Sequence, residues 1–326
     1  MILVTGGCGY IGSHVITRLL EKKYKVISVD NFSNSASSIN NKIKKLSKNN
    51  FEFIQGDIRS RSTLNKIFST YDIKIVMHFA GLKSISYSFG DPISYYSNNF
   101  SGSLNLINIM KEFKVKKIIF SSSATVYGGT YEPPFTEDMK LIIPESPYAQ
   151  TKLMVEELLK KIVLQHPEWR VGILRYFNPV AFDSRIFLNS FNKSDTNLLP
   201  KILSVINQRK NYLEIYGNKF NTRDGTGVRD YIHINDLVNG HLEALNNINK
   251  KKGLKIWNLG SGKGYSVLEV INMFESILNI KIPVKFVKPR KGDLPEYWAD
   301  VSKAKSELGW EPQKDLADMV NDSIYK

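Results

Sequence analysis

Only one cysteine, Cys8, occurs in the 326 residues. An intrachain disulfide and a cysteine-based metal cluster are therefore excluded, and the chain suits a reducing compartment. No apolar run approaches the roughly eighteen residues that a membrane span requires. Met1 leads straight into the strand-like Ile2-Leu3-Val4-Thr5, which leaves no room for a secretory signal, so the expected location is cytoplasmic. Histidines number five and show no H-x-x-x-H or similar spacing, so no metal is expected; His14, His78 and His233 each belong to a separate motif rather than to a ligand set. Acidic residues are in deficit: 31 Asp and Glu face 45 Lys and Arg, a formal charge of +14. Such an excess invites a nucleic-acid reading. Here, however, the lysines are scattered among asparagine and isoleucine, as in residues 40–50 and 246–252, with no nucleic-acid motif. We expect no nucleic-acid partner, no membrane, and a mild pull on anionic ligands.

What is present is the composition of a globular protein, 42% hydrophobic and 23% charged, long enough for one large or two modest domains. There is no internal repeat and no low-complexity tail. Apolar runs predict strands at 2–5, 25–29, 51–55, 73–79, 116–121 and 171–176, and amphipathic spacing predicts helices at 11–21, 60–68, 95–113 and 148–163. Strands alternating with helices imply right-handed βαβ units and a parallel sheet covered on both faces. The rhythm breaks past Asn178. The expected fold is α/β: a Rossmann-type doubly wound parallel sheet in residues 1–177, then a smaller mixed α/β C-terminal substrate lobe in 178–326. The boundary is not clean, because part of 230–245 can return to the first lobe.

Three groups of residues carry chemistry. Gly6, Gly9 and Gly12 lie between the first strand and first helix, where glycines allow a tight turn, close approach of a pyrophosphate and close helix packing. The spacing is G-x-x-G-x-x-G. Asp30 ends the second strand, where a carboxylate accepts from the ribose hydroxyls of an adenosine and repels a 2′-phosphate, favouring NAD over NADP. Asp57 follows the third strand, placed to border the adenine; either aspartate is also suited to capping the next helix. Finally, Tyr148 and Lys152 form Tyr-x-x-x-Lys, four residues apart on one helix face, downstream of Ser121-Ser122-Ser123. A lysine ammonium near a phenol favours phenolate, a useful base. Pro147 suits the start of that helix.

Taken together, Gly6 to His14, His78-Phe79-Ala80-Gly81-Leu82-Lys83, Phe120 to Gly128, Ser146 to Lys152, Arg175-Tyr176-Phe177-Asn178-Pro179, Gly225 to His233 and Gly292-Asp293-Leu294-Pro295 resemble the UDP-glucose 4-epimerase family. That family lies in the extended short-chain dehydrogenase/reductase superfamily. The resemblance spans nearly the whole chain and implies a seven-stranded cofactor lobe, tightly bound NAD and a C-terminal lobe that grips UDP. It implies interconversion of UDP-galactose and UDP-glucose, a step of galactose metabolism, by transient oxidation at sugar C4 through a 4-ketopyranose. Tyr148 would take the 4-hydroxyl proton, Lys152 would lower its pKa and bind the nicotinamide ribose, and Ser123 would hydrogen-bond the 4-oxygen. NAD contacts would come from Gly6, Gly9, Tyr10, Ile11, Gly12, Asp30, Asn31, Asn34, Asp57, Ile58, Phe79, Ala80, Gly81, Lys83, Asn98, Ser121, Tyr148, Lys152 and Tyr176. Phe79 suits plain core equally well. UDP-sugar contacts would come from Ser123, Tyr148, Asn178, Asn197, Leu198, Tyr216, Arg229, Arg290, Asp293 and Tyr297. Within these, Arg229 and Arg290 match the pyrophosphate site, Tyr216 a stack on uracil and Asp293 the uridine ribose. A bulky Tyr297 implies preference for UDP-glucose and UDP-galactose over N-acetylated forms. Relatives are usually homodimers through helices corresponding to 95–113 and 148–163.

The loop at 181–188 departs from a family segment richer in glycine and small polar residues, and the chain ends at Lys326 without the longer tail of relatives. A sugar-nucleotide 4,6-dehydratase shares the fold, but its elimination needs an acidic pair where this chain has Ala124 and Thr125. A 4-epimerase for another UDP-sugar (N-acetylhexosamine, pentose or uronic acid) shares the UDP anchor. A non-catalytic NAD-binding regulator would have no need of Ser123, Tyr148 and Lys152.

Overall fold

The computed structural model describes residues 1–47, 49–129, 131–186, 197–290 and 293–324. Strands β1 (Ile2–Thr5), β2 (Val26–Asp30), β3 (Phe51–Gln55), β4 (Ile75–His78), β5 (Lys117–Ser123) and β6 (Arg170–Tyr176) come first. They are followed by β7 (Asn178–Val180), β8 (Leu213–Tyr216), β9 (Val228–His233), β10 (Gly253–Leu259), β11 (Gly264–Ser266), β12 (Val284–Val287) and β13 (Glu296–Tyr297). Seven of these make one parallel sheet in the order β10-β6-β5-β4-β1-β2-β3. Both faces are buried, which is why its strands read as continuous apolar runs. In β1, Ile2 and Val4 enter one core layer while Leu3 enters the other, the two-residue alternation of a strand. This is the Rossmann-type doubly wound fold the alternation of elements implied.

The strand order reverses between β1 and β4, which opens a crevice at their carboxyl ends. Every residue group singled out for the cofactor and the proton transfer lies on that edge: the glycine turn after β1, Asp30 ending β2, Phe79 after β4 and Ser123 ending β5.

Beyond β6 the chain builds a small sheet, β11-β9-β13 with β7 also on β9, and a two-stranded pair β12-β8. A third apolar cluster, including Leu203, Ile215, Phe274 and Met319, supports them. The helix Ile234–Lys250 and strand β10 then carry the chain back to the large sheet, where β10 pairs with β6.

Some elements differ from the sequence-based expectation. The helix Ser37–Leu46 buries only Ile39, Asn40 and Ile43, so its short apolar stripe was hidden among lysines and asparagines. The helix expected at 95–113 begins earlier, at Pro92 after the capping Asp91, and passes through a π-helical stretch, Tyr96–Ser101, before Gly102–Glu112. Strand β5 runs on to Ser123, two residues past the expected end. Of the divergent segment 181–196, residues 187–196 lie outside the described residues, as does Gly292 of the Gly-Asp-Leu-Pro motif.

Candidate active site

The helix Pro147–Gln165 starts where Ser146 accepts from the Ala149 amide, at 3.2 Å, with Pro147 in its first turn. That start sets Tyr148 and Lys152 against the end of β5. Both side chains are buried, 9% and 6% exposed. Lys152 Nζ donates to the Ser121 carbonyl at 2.7 Å and sits 5.0 Å over the Phe120 ring and 5.9 Å from the Tyr148 ring centroid. Burial pulls its pKa down to about 8, against which the charge of Glu156 acts. The ammonium therefore stays largely protonated at neutral pH.

Burial pushes the Tyr148 phenol up to about 12, while a hydrogen bond with Ser123 acts in the opposite direction. The shift runs opposite to the lowering by Lys152 that the sequence led us to expect: burial dominates, and the opposing contribution comes from Ser123. Ser123 Oγ accepts from the Thr125 amide at 3.3 Å and the Thr125 hydroxyl at 3.0 Å, so it is fixed at the strand end. The Tyr95 ring packs edge-on against Tyr148 at 6.4 Å.

On the nucleotide side, Gly6 adopts φ +70°, and a Cβ there would lie 2.6 Å from the Ala80 amide nitrogen. A Cβ at Gly12 would lie 2.4 Å from the Gly6 carbonyl oxygen. The helix Tyr10–Glu21 starts at Gly9 with no side-chain cap, so its N-terminus lies at the carboxyl end of β1, on the crevice edge. Asp30 accepts from the Cys8 amide, the Phe32 amide and the Ser35 hydroxyl, each at 2.9 Å. Asp57 accepts from Asn31 at 2.9 Å and from Arg59, whose hydrogen bonds hold its carboxyl down to about 2. Neither aspartate caps the following helix: Ser60 caps Arg61–Thr70, and Ala36 precedes Ser37–Leu46.

Asn34 Nδ2 reaches the Gly81 carbonyl at 3.4 Å, joining the second loop to the fourth. Lys83 follows on the same loop, at its exposed end. Ile58 sends its side chain into the core beneath Gly102, and its carbonyl accepts from Asn105 at 2.6 Å. Asn98 is buried on the π-helical stretch beside Asn99, which brackets Leu82 through the Leu82 amide at 2.7 Å and carbonyl at 2.9 Å. π-Helical turns often occur at functional sites. Phe79 is half-buried with its ring 5.1 Å from that of His241, so it is both core edge and crevice floor. His241 receives the Tyr176 hydroxyl at Nε2 while its Nδ1 donates to the Leu237 carbonyl at 2.8 Å.

The residues expected to hold a UDP-sugar form a connected track. Tyr297 donates to the Ala124 carbonyl beside Ser123 and stacks on Phe135 at 4.3 Å. It pairs in register with Arg229, whose guanidinium lies 3.6 Å from Asp293 Oδ1. Asp293 Oδ2 accepts from the Arg290 amide at 3.2 Å, and the Arg290 guanidinium lies 4.0 Å over Tyr216. Asn178 donates to the Asp230 carbonyl at 2.8 Å alongside β9. Asn197 is exposed at the start of the helix Leu198–Ile206, with Leu198 half-buried behind it. Sequence reading missed Lys201, whose Nζ lies 4.7 Å over Tyr216, and Asn99; one lysine in so basic a chain carries no signal, and Asn99 was hidden by its neighbour. Among the described residues no group of three or more His, Cys, Asp or Glu side chains could hold a metal ion, and no helix is long and apolar enough to cross a membrane.

A family model described as GDP-mannose 4,6 dehydratase matches residues 3–323. A UDP-glucose 4-epimerase of Yersinia pestis is 45% identical over 325 residues, covering 99% of this chain and 96% of that protein. The chain belongs to the UDP-glucose 4-epimerase family. Two solved structures of UDP-glucose 4-epimerases superpose with a TM-score of 0.94. That of Bifidobacterium longum, in complex with NAD+ and UDP, is 41% identical, and that of Stenotrophomonas maltophila, with NAD and formylated UDP-arabinopyranose, is 37% identical. Each covers 99% of this chain and 96% of its own. Against the dehydratase name of the broader model stand Ala124 and Thr125, which bring no carboxylate to the positions where elimination needs one.

Proposed function

We propose that the chain interconverts UDP-galactose and UDP-glucose with NAD as resident cofactor, as a cytoplasmic enzyme. The observation that carries this is a buried Tyr148, Lys152 and Ser123 at the strand-order reversal, in a chain matched end to end by UDP-glucose 4-epimerases. The residues suit the cofactor: glycines at 6 and 12 let the turn close against its own neighbouring backbone, the helix after Gly9 begins without a side-chain cap, and Asp30 ends β2 on the same edge, where we assign it to the ribose. We assign further contacts with NAD to Gly9, Tyr10, Ile11, Asn31, Asn34, Asp57, Ile58, Phe79, Ala80, Gly81, Lys83, Asn98, Ser121 and Tyr176. NAD, when bound, would supply a reversible hydride acceptor for sugar C4.

The chain's own part is proton transfer and grip. Tyr148 would serve as the base for the 4-hydroxyl proton in the NAD-loaded protein, and would return the proton after the 4-ketopyranose has turned over. There the positive charge of the oxidised nicotinamide would oppose the burial that keeps the phenol protonated in the protein alone. Lys152 is the cation beside the phenol ring, and Ser123 steadies the 4-oxygen from the opposite side. Arg229 and Arg290 hold the pyrophosphate, with Asn178, Asn197, Leu198, Tyr216 and Asp293 around the uridine and sugar. UDP stays anchored while only the sugar rotates. We assign the cofactor to residues 1–177 together with the returning β10, and the UDP-sugar to the remainder of 178–326.

We further propose a homodimer. Ile85, Tyr87, Phe89 and Ile93 are 45%, 55%, 46% and 80% exposed on helices that pack beside Pro147–Gln165, an apolar patch suited to a self-complementary helical interface. A coupled assay for UDP-galactose conversion by purified protein, without added NAD, tests the function. Turnover that disappears in Tyr148→Phe supports it; a folded, NAD-holding protein inert on both sugars overturns it.

A further inference from the structure

Residues 148, 152 and 156 are spaced by four, so Tyr148, Lys152 and Glu156 share one face of the helix Pro147–Gln165. Glu156 is fully buried and meets Arg175, 1% exposed, in a two-point ion pair: Nη2 donates to Oε2 at 2.7 Å and Nε to Oε1 at 3.1 Å. The Ser122 hydroxyl adds a third bond to Oε1 at 2.5 Å. Ser122 and Arg175 are cross-strand partners in β5 and β6, and the next pair along is Ser123 with Tyr176. The Arg175 guanidinium also lies 4.8 Å over the Tyr127 ring, and Tyr127 donates to Asn258 on β10 at 2.6 Å.

Burying such a pair is a poor way to gain stability, since packed aliphatic side chains of the same volume commonly hold as well or better. What aliphatic side chains cannot supply is an anion. The other described groups that the structure sets against Lys152 are neutral. On β4, His78 accepts from Thr5 at Nδ1 and donates to Ser103 at Nε2, since the Ser103 hydroxyl is itself given to the Asn99 carbonyl. β5 offers the Ser121 carbonyl and the Phe120 ring, the π-helical stretch the Asn99 amide, which flanks Gly81 together with Lys152 Nζ, and the helix itself Tyr148. Among these described neighbours, Glu156 and the Arg175 behind it carry the charge. The direction in which Glu156 moves the Lys152 titration agrees with that geometry.

We propose that Glu156 and Arg175 are positioning residues: a buried, charge-cancelled pair that ties the Tyr148–Lys152 helix to the strand bearing Ser123 and supplies the carboxylate facing Lys152. The inference rests on the proposed roles of Tyr148 and Lys152, and it predicts opposite effects from breaking the pair at its two ends. Glu156→Gln removes the anion and leaves a buried guanidinium, so Lys152 loses its proton more readily. Arg175→Met leaves the carboxylate uncancelled, so Lys152 holds its proton more tightly.

The test is a pH titration of NAD-loaded protein labelled with 13Cε-lysine, the Lys152 resonance being identified by its loss in Lys152→Arg. The expected order of the Lys152 titration midpoint is Arg175→Met above wild type, wild type above the double variant Glu156→Gln/Arg175→Met, and Glu156→Gln lowest, with single steps of about one pH unit. General loss of packing would move both singles the same way, and that result, or no movement, overturns the proposal. Should the singles fail to fold, the double variant, which leaves no unpaired buried charge, decides: a midpoint equal to wild type overturns the proposal. The titration does not depend on turnover, so failure of the functional reading shows separately, as epimerase activity retained in Tyr148→Phe and Lys152→Arg.

Discussion

The guanidinium of Arg290 lies over the Tyr216 ring, 4.0 Å from its centroid, and Lys201 Nζ approaches the same ring at 4.7 Å. Two cations thus cluster where uridine is proposed to stack, next to the carboxylates of Glu214 and Asp293. An arginine presents two parallel donors to phosphate oxygens, which a lysine cannot. Arg290→Ala should therefore raise KM for UDP-galactose about ten- to hundredfold while kcat changes little, because the lost contact is made equally in ground and transition states. Arg290→Lys should recover only part of that. Initial rates with UDP-galactose, beside calorimetric titration with UDP, check both; a fall in kcat at unchanged KM would contradict the assignment.

Removing the Tyr148 hydroxyl should act on the chemical step alone. The phenol makes its hydrogen bond with Ser123 in a buried site, and Phe fills nearly the same volume, so Tyr148→Phe should fold and hold NAD normally. Its kcat should fall about a hundred- to ten-thousandfold, the range for loss of a general base. Stopped-flow or endpoint assays suffice, with bound NAD measured after denaturation. A variant within threefold of wild type would remove Tyr148 from the mechanism.

The parts of this site legible in the sequence are those where local rules dictate residue type. Only glycine fits positions 6 and 12, because backbone from a neighbouring turn occupies the space of a Cβ, and an N-cap serine and first-turn proline announce the helix that carries Tyr148. The continuous apolar runs of β1, β2 and β4 likewise declare a doubly covered sheet. Hidden parts depend on tertiary placement. Nothing local marks Glu156 as the partner of Arg175, nineteen positions on, or His241 as the acceptor for Tyr176. Lys201 looks like any of the lysines in a chain of charge +14. The stripe of Ser37–Leu46 is too short to stand out, and the early start of the helix at Pro92 follows from Asp91, whose side chain takes the Ser94 amide.

Four buried histidines, His14, His78, His233 and His241, give the fold a predictable acid limit, burial lowering the pKa of each. Burial holds His14 down to about 4, His78 to about 3 and His241 to about 4, each neutral and hydrogen-bonded through both ring nitrogens. Unfolded, each would titrate near 6.5. Between those values the unfolded chain binds more protons than the folded one, so stability is fully present above about pH 6.5 and falls as pH drops toward 4. Each histidine contributes roughly 1.4 kcal/mol per pH unit well inside that window. The urea midpoint should be flat from pH 8 to 7 and drop steeply by pH 5. A midpoint unchanged at pH 5 would mean that these histidines are protonated in the folded state as they are in the unfolded chain.

Tyr297 is where sugar choice should be decided. Its hydroxyl is tied to the Ala124 carbonyl, next to Ser123, and its ring is wedged between Phe135 at 4.3 Å and Phe177 at 5.7 Å. A ring fixed on three sides cannot swing away to admit an N-acetyl group near the 4-oxygen position. The unmodified protein should turn over UDP-N-acetylglucosamine poorly, and Tyr297→Ala should improve it at least tenfold relative to UDP-glucose. The same change empties part of an aromatic cluster and should cost on the order of 3 kcal/mol of stability, read as a lower Tm. Both effects come from one side chain, so they separate the readings. A variant that loses stability without gaining the N-acetylated substrate would make Tyr297 a packing residue, and efficient turnover of that substrate by the unmodified protein would show that the pocket admits it despite the ring.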